Sequence, residues 1–134
     1  MTGWLEASVT ITVPFHDADP AGIVWHGNYF RYFELARCEL LDRLDYNYLQ
    51  MAESGFLWPI VDLRSRFNES VKFQDKITVV ARLVEWEYRL VMNYRVLNQA
   101  GKEVARGTTV QVPVDSVSGE LQVGVPAVFE ERVQ

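Results

Sequence analysis

Cysteine is nearly absent from this chain of 134 residues. Cys38 is the only one, which excludes an internal disulfide and a zinc site built on cysteines. No run of 18 apolar residues occurs, so the sequence predicts no membrane-spanning helix. The 13 Lys and Arg are outnumbered by 18 Asp and Glu, and the net charge of -5 disfavours nucleic-acid binding. The opening MTGWLEAS has no basic segment and no apolar run, so we expect no signal peptide and a small soluble cytoplasmic protein.

Apolar residues, by contrast, are plentiful enough for a real core. They make up 49% of the chain, and aromatic residues make up 13%. A length of 134 residues suits one domain, and no repeat, linker or low-complexity segment divides residues 1–134.

Two periodicities in the first third of the chain predict a strand and then a helix. Val9, Ile11, Val13 and Phe15 alternate with threonines, which is typical of a half-buried strand. From Asn28, a possible N-cap, the apolar spacing becomes three and four residues and predicts a long helix. The apolar stripe of this helix consists of Phe30, Phe33, Ala36, Leu40, Leu41 and Leu44. An interruption at 45–47, a further helical turn and an end at Gly55 follow.

The pattern of the chain from residue 59 onward predicts mostly extended structure. Strand-like segments cover 59–73, with a bend near Asn68, and also 75–88, 89–98 and 102–115. Short turns such as QAG, with Gly101, predict antiparallel pairing, and the tail PAVFEERVQ could form a short helical end. The predicted fold class is α+β, with one long helix on a curved, mostly antiparallel five-stranded sheet. The segment VVARLV is apolar on both faces, so we expect a second copy of the chain to cover part of the sheet.

The stretch HDADPAGIVWHGNYF, from His16 to Phe30, joins the first strand to the helix and allows several interpretations. Asp before Pro-Ala-Gly is ordinary turn chemistry. A calcium loop fails because Ala21 and Asn28 stand where oxygen ligands are needed. His16, Asp17, Asp19 and His26 have no defensible zinc spacing, so we predict no metal site.

An acyl-transfer site is the catalytic interpretation of the same stretch. A helix N-terminus carries unpaired N–H groups and partial positive charge, which can hold the oxyanion formed when a carbonyl is attacked. A carboxylate on the preceding loop can attack that carbonyl or activate water. Gly22 and Gly27 would let the backbone approach a substrate closely, and the apolar IVW between them would shield the site. A thioester is a good candidate substrate because its carbonyl is electrophilic and thiolate leaves readily.

A longer stretch that begins at Asp17 resembles the motif of a known protein family. DADPAGIVWHGNYFRYFELAR resembles the signature of the 4-hydroxybenzoyl-CoA thioesterase family of hotdog-fold proteins, in its broad bacterial acyl-CoA branch. The family pattern reads roughly D-x-D-x-x-G-x-V-(Y/W)-(H/Y)-x-x-Y, and the similarity extends over nearly the whole chain. The resemblance implies a hotdog fold, hydrolysis of an acyl-CoA thioester without a separate cofactor, since CoA is part of the substrate, and a homo-oligomer, either a dimer or a tetramer of dimers.

The resemblance also implies roles for individual residues. Asp19 aligns with the catalytic carboxylate, a nucleophile or general base, and Asp17 aligns with a frequent but non-essential acid. The backbone N–H of His26 would polarise the thioester carbonyl. Trp58 and Pro59 match a stretch that borders the active site of the partner subunit in such dimers. The implied substrate-binding residues are Gly22, Val24, Trp25, Asn28, Tyr29, Trp58 and Pro59.

Two features depart from the family pattern or leave alternatives open. The basic cluster that grips the CoA phosphates after Trp86 is replaced by WEYRLV, in which only Arg89 is basic, so nucleotide binding must differ in detail. Glu34 on the helix could be a second acid, but we expect it to pair with Arg31 or Arg37. The alternative functions are a hotdog dehydratase or isomerase acting on acyl thioesters, and a non-catalytic module that binds acyl-CoA.

Overall fold

The computed structural model describes residues 5–122 together with residues 124, 126, 129 and 132. Within these residues the chain forms a long helix, a short helix and seven strands. The helices are α1 (Asn28–Arg43) and α2 (Tyr48–Glu53). The strands are β1 (Glu6–Thr12), β2 (Phe56–Leu57), β3 (Ile60–Phe67), β4 (Lys76–Glu85), β5 (Leu90–Leu97), β6 (Glu103–Gln111) and β7 (Val114–Asp115).

Five of these strands form one sheet in the order β1-β4-β5-β6-β3, and every neighbouring pair is antiparallel. The predicted α+β class, with one long helix on a five-stranded antiparallel sheet, is confirmed. The short strands β2 and β7 pair separately. Strands β1 and β3 are the two edges of the sheet, and β3 follows the helical region after the short strand β2.

Helix α1 packs its apolar stripe on the inner face of the sheet. Phe33 stacks on Tyr94 of β5 with ring centroids 4.6 Å apart, and Gly107 of β6 leaves the space that the Phe33 ring fills. Phe30 lies at the margin of the stripe and stays partly exposed. The buried residues of α1 are Tyr29, Tyr32, Phe33, Ala36, Arg37, Leu40 and Leu41. The periodicity therefore positions the helix so that its N-terminal end lies beside the loop that follows β1.

Three local predictions need correction or fall outside the described residues. Phe15 was expected on the buried face of the first strand, but it is 76% exposed, because the chain leaves β1 at Thr12 and forms a 3₁₀ turn at Phe15–Asp17. Asn28 is not the N-cap of α1. Gly27 occupies that position, and Asn28 is the first helical residue. The helical end expected at 126–134 falls mostly on residues outside the described part of the chain.

The described helices include none that is both long and apolar enough to cross a membrane. Helix α1, the longest, has 16 residues.

Candidate active site

Asp17 ties together the two ends of the loop between β1 and α1. Its backbone carbonyl accepts hydrogen bonds from the Trp25 N–H at 3.2 Å and from the side-chain amide of Asn28 at 2.8 Å. Asn28 therefore anchors the loop with its side chain instead of capping the helix. This closure fixes the first residues of α1 relative to residues 18–24.

The Asp17 carboxylate is buried against the first turn of α1. It accepts a hydrogen bond of 2.7 Å from the Tyr32 hydroxyl and forms an ion pair with Arg31. Burial alone would raise the pKa of Asp17, but the bonds from Arg31 and Tyr32 and the Arg31 charge outweigh it and leave this pKa below its usual value. Asp17 is thus a buried, ionised anchor and not an ordinary turn residue. The sequence analysis missed Arg31 and Tyr32 as its partners, although both stand within one turn of Asn28.

Asp19 is exposed and is oriented by its own turn. Its Oδ1 accepts the N–H groups of Ala21 at 2.9 Å and Ile23 at 3.2 Å. Gly22 closes this turn at a φ of +79°, a left-handed conformation that favours glycine. No described residue donates a hydrogen bond to the other carboxylate oxygen, Oδ2. The turn therefore fixes the direction of the side chain and leaves one oxygen available to a substrate.

The segment that follows β3 forms the other wall of the site. The Val24 N–H donates to the Val71 carbonyl at 2.7 Å, and Ile23 forms an antiparallel bridge with Lys72. The Gly22 carbonyl accepts the Phe73 N–H at 3.1 Å. These bonds hold the segment after Phe67 against the loop that carries Asp19.

A cavity of about 370 Å³ opens between the loop and this segment. It brings together five of the predicted site residues, namely Asp19, Val24, Trp25, His26 and Tyr29. The other lining residues are Ile23, Phe67, Asn68, Glu69 and Ser70. Sequence reasoning did not assign these residues to the site. The only signal for them was the bend expected near Asn68, because strand patterns do not say which loop the end of a strand approaches.

Two backbone N–H groups precede the helix without an acceptor in the described part of the chain. The N–H of Asn28 donates to the Trp25 carbonyl at 2.9 Å, and that of Tyr29 donates to the His26 carbonyl at 3.2 Å. The N–H groups of His26 and Gly27 make no such bond. They lie at the positive end of α1, where an anion is stabilised.

Aromatic rings cluster beside the start of α1. The Phe67 ring lies 4.9 Å from the Tyr29 ring and 5.8 Å from the His26 ring. Trp25 folds over Gly27 so closely that a Cβ at position 27 would overlap its ring. Burial, with a smaller contribution from the Asp75 charge, raises the pKa of Tyr29, which therefore stays a neutral phenol.

Several predicted residues lie outside the cavity of their own chain. Trp58 is buried against Tyr46 and Phe129, while Pro59 is exposed beside it. Arg89 lies in the β4–β5 turn, where it forms an ion pair with Glu85 at 3.2 Å. The structure therefore joins Asp19 to the start of α1 but does not join either to these residues within one chain.

Glu34 is exposed on α1 and pairs with Arg37 at 3.9 Å, as expected, and it does not line the cavity. Arg37 itself is buried, which the sequence analysis did not foresee. Its guanidinium donates to the hydroxyls of Tyr48 at 2.7 Å and Tyr94 at 3.3 Å.

Comparison with known proteins agrees with this architecture. The profile of the thioesterase-like superfamily matches residues 13–133. Acyl-CoA thioesterase YbgC of Haemophilus influenzae is 29% identical over 106 residues, covering 73% of this chain and 78% of that protein. A protein of Thermus thermophilus described as hypothetical is 26% identical, with a TM-score of 0.85 over 94% of this chain and 95% of that one. A mutant 4-hydroxybenzoyl-CoA thioesterase complexed with 4-hydroxybenzoyl-CoA is 24% identical, with a TM-score of 0.83 over 97% and 99%. The hotdog arrangement predicted from the sequence is confirmed.

Proposed function

Because this chain belongs to the thioesterase-like superfamily, we propose that it hydrolyses acyl-CoA thioesters to a free acid and CoA. The named relatives and the neighbouring structures support this reaction class. The finer proposal is that Asp19 is the acting carboxylate and that the start of α1 holds the oxyanion. CoA is part of the substrate, and the reaction as proposed needs no separate cofactor.

One observation carries this proposal: Asp19, whose Oδ2 accepts from no described residue, and His26, whose N–H is unpaired, line the same cavity, and the unpaired N–H of Gly27 follows directly in the chain. In the general-base route, Asp19 Oδ2 removes a proton from water while the water oxygen bonds to the thioester carbon. The N–H groups of His26 and Gly27 stabilise the negative carbonyl oxygen of the tetrahedral intermediate. Collapse of that intermediate breaks the carbon–sulfur bond, and CoA leaves as a thiolate that takes up a proton.

The nucleophilic route uses the same atoms in a different order. Asp19 Oδ2 would bond to the thioester carbon and expel CoA thiolate, which leaves an acyl anhydride on the carboxylate. Water would then cleave the anhydride and release the free acid. Both routes need the same position for Asp19.

We also propose that the active unit is at least a dimer formed through the edge strand β3. Ile60, Val61, Leu63 and Phe67 leave apolar surface exposed along this edge, where a strand can pair with another copy. Phe67, at one end of β3, lines the cavity, and Trp58 and Pro59 precede the other end. Antiparallel pairing about a two-fold axis would place the partner's Trp58–Pro59 segment beside that cavity.

The same pairing would bring a second predicted residue toward the site. Leu90 begins β5 beside Gln111, and Gln111 in turn pairs with Ile60, so Arg89 lies at the Ile60 end of the sheet. In a dimer built on β3, the Arg89 of one subunit would therefore approach the partner's cavity, where it could contact a CoA phosphate. Cytoplasmic location and the association of dimers into tetramers remain predictions of the sequence.

A hydrolysis panel tests the proposal. Short, medium, long and aryl acyl-CoAs are incubated with the wild-type protein and with Asp19→Asn, and the released thiol is measured. We expect turnover of at least one class and a loss of about 10²–10⁴-fold in Asp19→Asn, the usual contribution of a positioned base. Near-native turnover by Asp19→Asn would contradict the mechanism.

Asp115→Asn is a matched control. The Asp115 Oδ1 accepts two backbone N–H groups at 2.9 Å, from Val117 and Ser118, in an exposed turn away from the cavity. The substitution is the same and the local geometry is similar, so we expect unchanged turnover. Conversion of an enoyl-CoA included in the panel would identify a dehydratase or isomerase. Tight CoA binding without turnover of any substrate would identify a binding module.

A further inference from the structure

Five arginines lie on the outer face of the sheet, the face turned away from α1. They are Arg64 and Arg66 of β3, Arg82 of β4, Arg95 of β5 and Arg106 of β6. Their sequence neighbours Ala81, Leu83, Tyr94, Val96 and Ala105 are buried on the opposite, inner face. We call these five residues the arginine face. Such a concentration of positive charge is unexpected in a chain whose net charge is -5.

Three of these arginines are direct cross-strand neighbours. Arg106 pairs in register with Arg95 on one side and with Arg66 on the other. Like charges placed directly opposite each other destabilise a sheet. Only Arg95 in this row has an acidic partner, Glu103 at 2.9 Å, whereas Arg66 and Arg106 form no ion pair with the described residues. The row therefore holds more positive charge than the folded chain neutralises.

A second row of outward-facing residues crosses the sheet beside the first and carries the other two arginines. Arg82 lies opposite Asn93, Asn93 opposite Thr108, and Thr108 opposite Arg64. Arg64 pairs with Asp62 at 3.3 Å. Arg82 lies opposite Glu6 of β1, which also lines the cavity, although no ion pair joins these two side chains within the described part of the chain. Between the two rows the side chains line an open cavity of about 800 Å³, within the range typical of small-molecule sites.

Smaller side chains line the cavity between the arginines. On the outer face they are Val80, Asn93 and Thr108. The Thr108 hydroxyl donates to the Asn93 Oδ1 at 3.1 Å, which orients that amide and leaves its NH₂ group without a protein acceptor among the described residues. This cavity shares no lining residue with the one that contains Asp19.

We propose that the arginine face binds a small anion that carries two or more phosphate groups, of about the size of a nucleotide. Guanidinium groups bind phosphate oxygens through two parallel N–H donors, and neighbouring strands place the Cα atoms of paired arginines about 5 Å apart. An anion between Arg66, Arg95 and Arg106 would offset their mutual repulsion. A second copy of the chain fits less well, because a two-fold contact would place this face against itself.

Calorimetric titration of the full chain at low salt tests the proposal, with inorganic pyrophosphate and ADP as probes. We expect saturable binding with a dissociation constant below about 1 mM. Arg66→Gln and Arg106→Gln should each weaken binding by about tenfold, the loss expected for one charge-assisted bond. Tighter binding of ADP would assign a nucleotide, and equal binding would assign the phosphate groups alone.

Lys76→Gln is the matched control. Lys76 lies on the outer face of β4, six residues from Arg82, and it does not line the cavity, so removal of its charge should leave binding unchanged.

Thermal unfolding gives a second readout: without ligand, Arg106→Gln should melt higher than the wild type, because it relieves repulsion. The proposal is overturned by the absence of saturable binding, by wild-type affinity in both arginine variants, or by a change of oligomeric mass in Arg106→Gln, which would assign the face to contacts between copies.

Discussion

The Tyr32 hydroxyl donates a 2.7 Å hydrogen bond to the buried carboxylate of Asp17 and so joins the start of the long helix to the loop before it. The carbonyl of the same aspartate holds Trp25 and Asn28 at the other end of that loop. Asp17 thus positions the candidate catalytic turn without touching the cavity. The two aspartates of D-x-D are placed differently: Asp17 is buried and fixes the loop, whereas Asp19 is exposed and lines the cavity.

Asp17→Asn is expected to lower stability more than turnover. Asparagine can still accept from Tyr32 but no longer neutralises Arg31, so the free energy of unfolding should fall by about 1–3 kcal/mol. The helix start and Asp19 should stay in place, so turnover should fall by less than about tenfold, which is below the smallest contribution usual for a catalytic base, about 10²-fold. Urea unfolding and the hydrolysis assay measure the two effects. A loss of turnover as deep as that of Asp19→Asn would mean that the two carboxylates act together.

The stability lost in Asp17→Asn should depend on pH with a definite sign. The folded chain holds the pKa of Asp17 below its usual value, so the ionised carboxylate stabilises the fold above about pH 4, the ordinary value for aspartate. That contribution disappears as the pH falls through the lowered pKa. The difference in unfolding free energy between wild type and variant should be constant from neutral pH to about pH 5 and shrink at lower pH. A difference that grows on acidification would contradict the assignment.

His26→Ala separates the backbone of His26 from its imidazole. Alanine keeps the unpaired N–H at the start of α1, so we expect turnover within about tenfold of wild type, well short of the loss expected when an oxyanion donor is removed. The hydrolysis assay with the best substrate of the panel measures this. A loss comparable to that of Asp19→Asn would instead assign a direct catalytic role to the imidazole.

The features that the sequence predicted correctly are those that depend on local periodicity and local chemistry. The alternation in β1 and the helical stripe around Phe33 are repeated patterns, and the compact motif around Asp19 carries both the carboxylate and the helix start. The partners of Asp17 and the wall formed by 67–70 depend on contacts between segments far apart in the chain, which no local pattern encodes. Phe15 was misplaced for a related reason: alternation continues beyond the residue at which a strand leaves its sheet.

Gly27→Ala is expected to disturb the site through a steric clash with Trp25. A Cβ at position 27 would overlap the Trp25 ring, so the ring or the start of α1 must move. We expect turnover to fall by about tenfold or more, because oxyanion donors need accurate placement. Trp25→Ala removes the clashing ring, so Gly27→Ala should cost much less in a Trp25→Ala background. Equal costs in both backgrounds, measured as a double-mutant cycle of turnover, would show that the clash is not the cause.

Leu63→Glu tests the requirement for a partner at the edge strand. Leu63 is partly exposed in the middle of β3, and a charge there should oppose pairing with a second copy. The variant should become monomeric by light scattering. If the partner's Trp58–Pro59 segment completes the cavity, turnover should be lost in parallel. Leu49→Glu, the same substitution at an exposed position of α2, is the control and should change neither. A monomeric variant with full turnover would show that one chain holds the complete site, whereas a wild-type protein that is already monomeric and active would exclude the dimer itself.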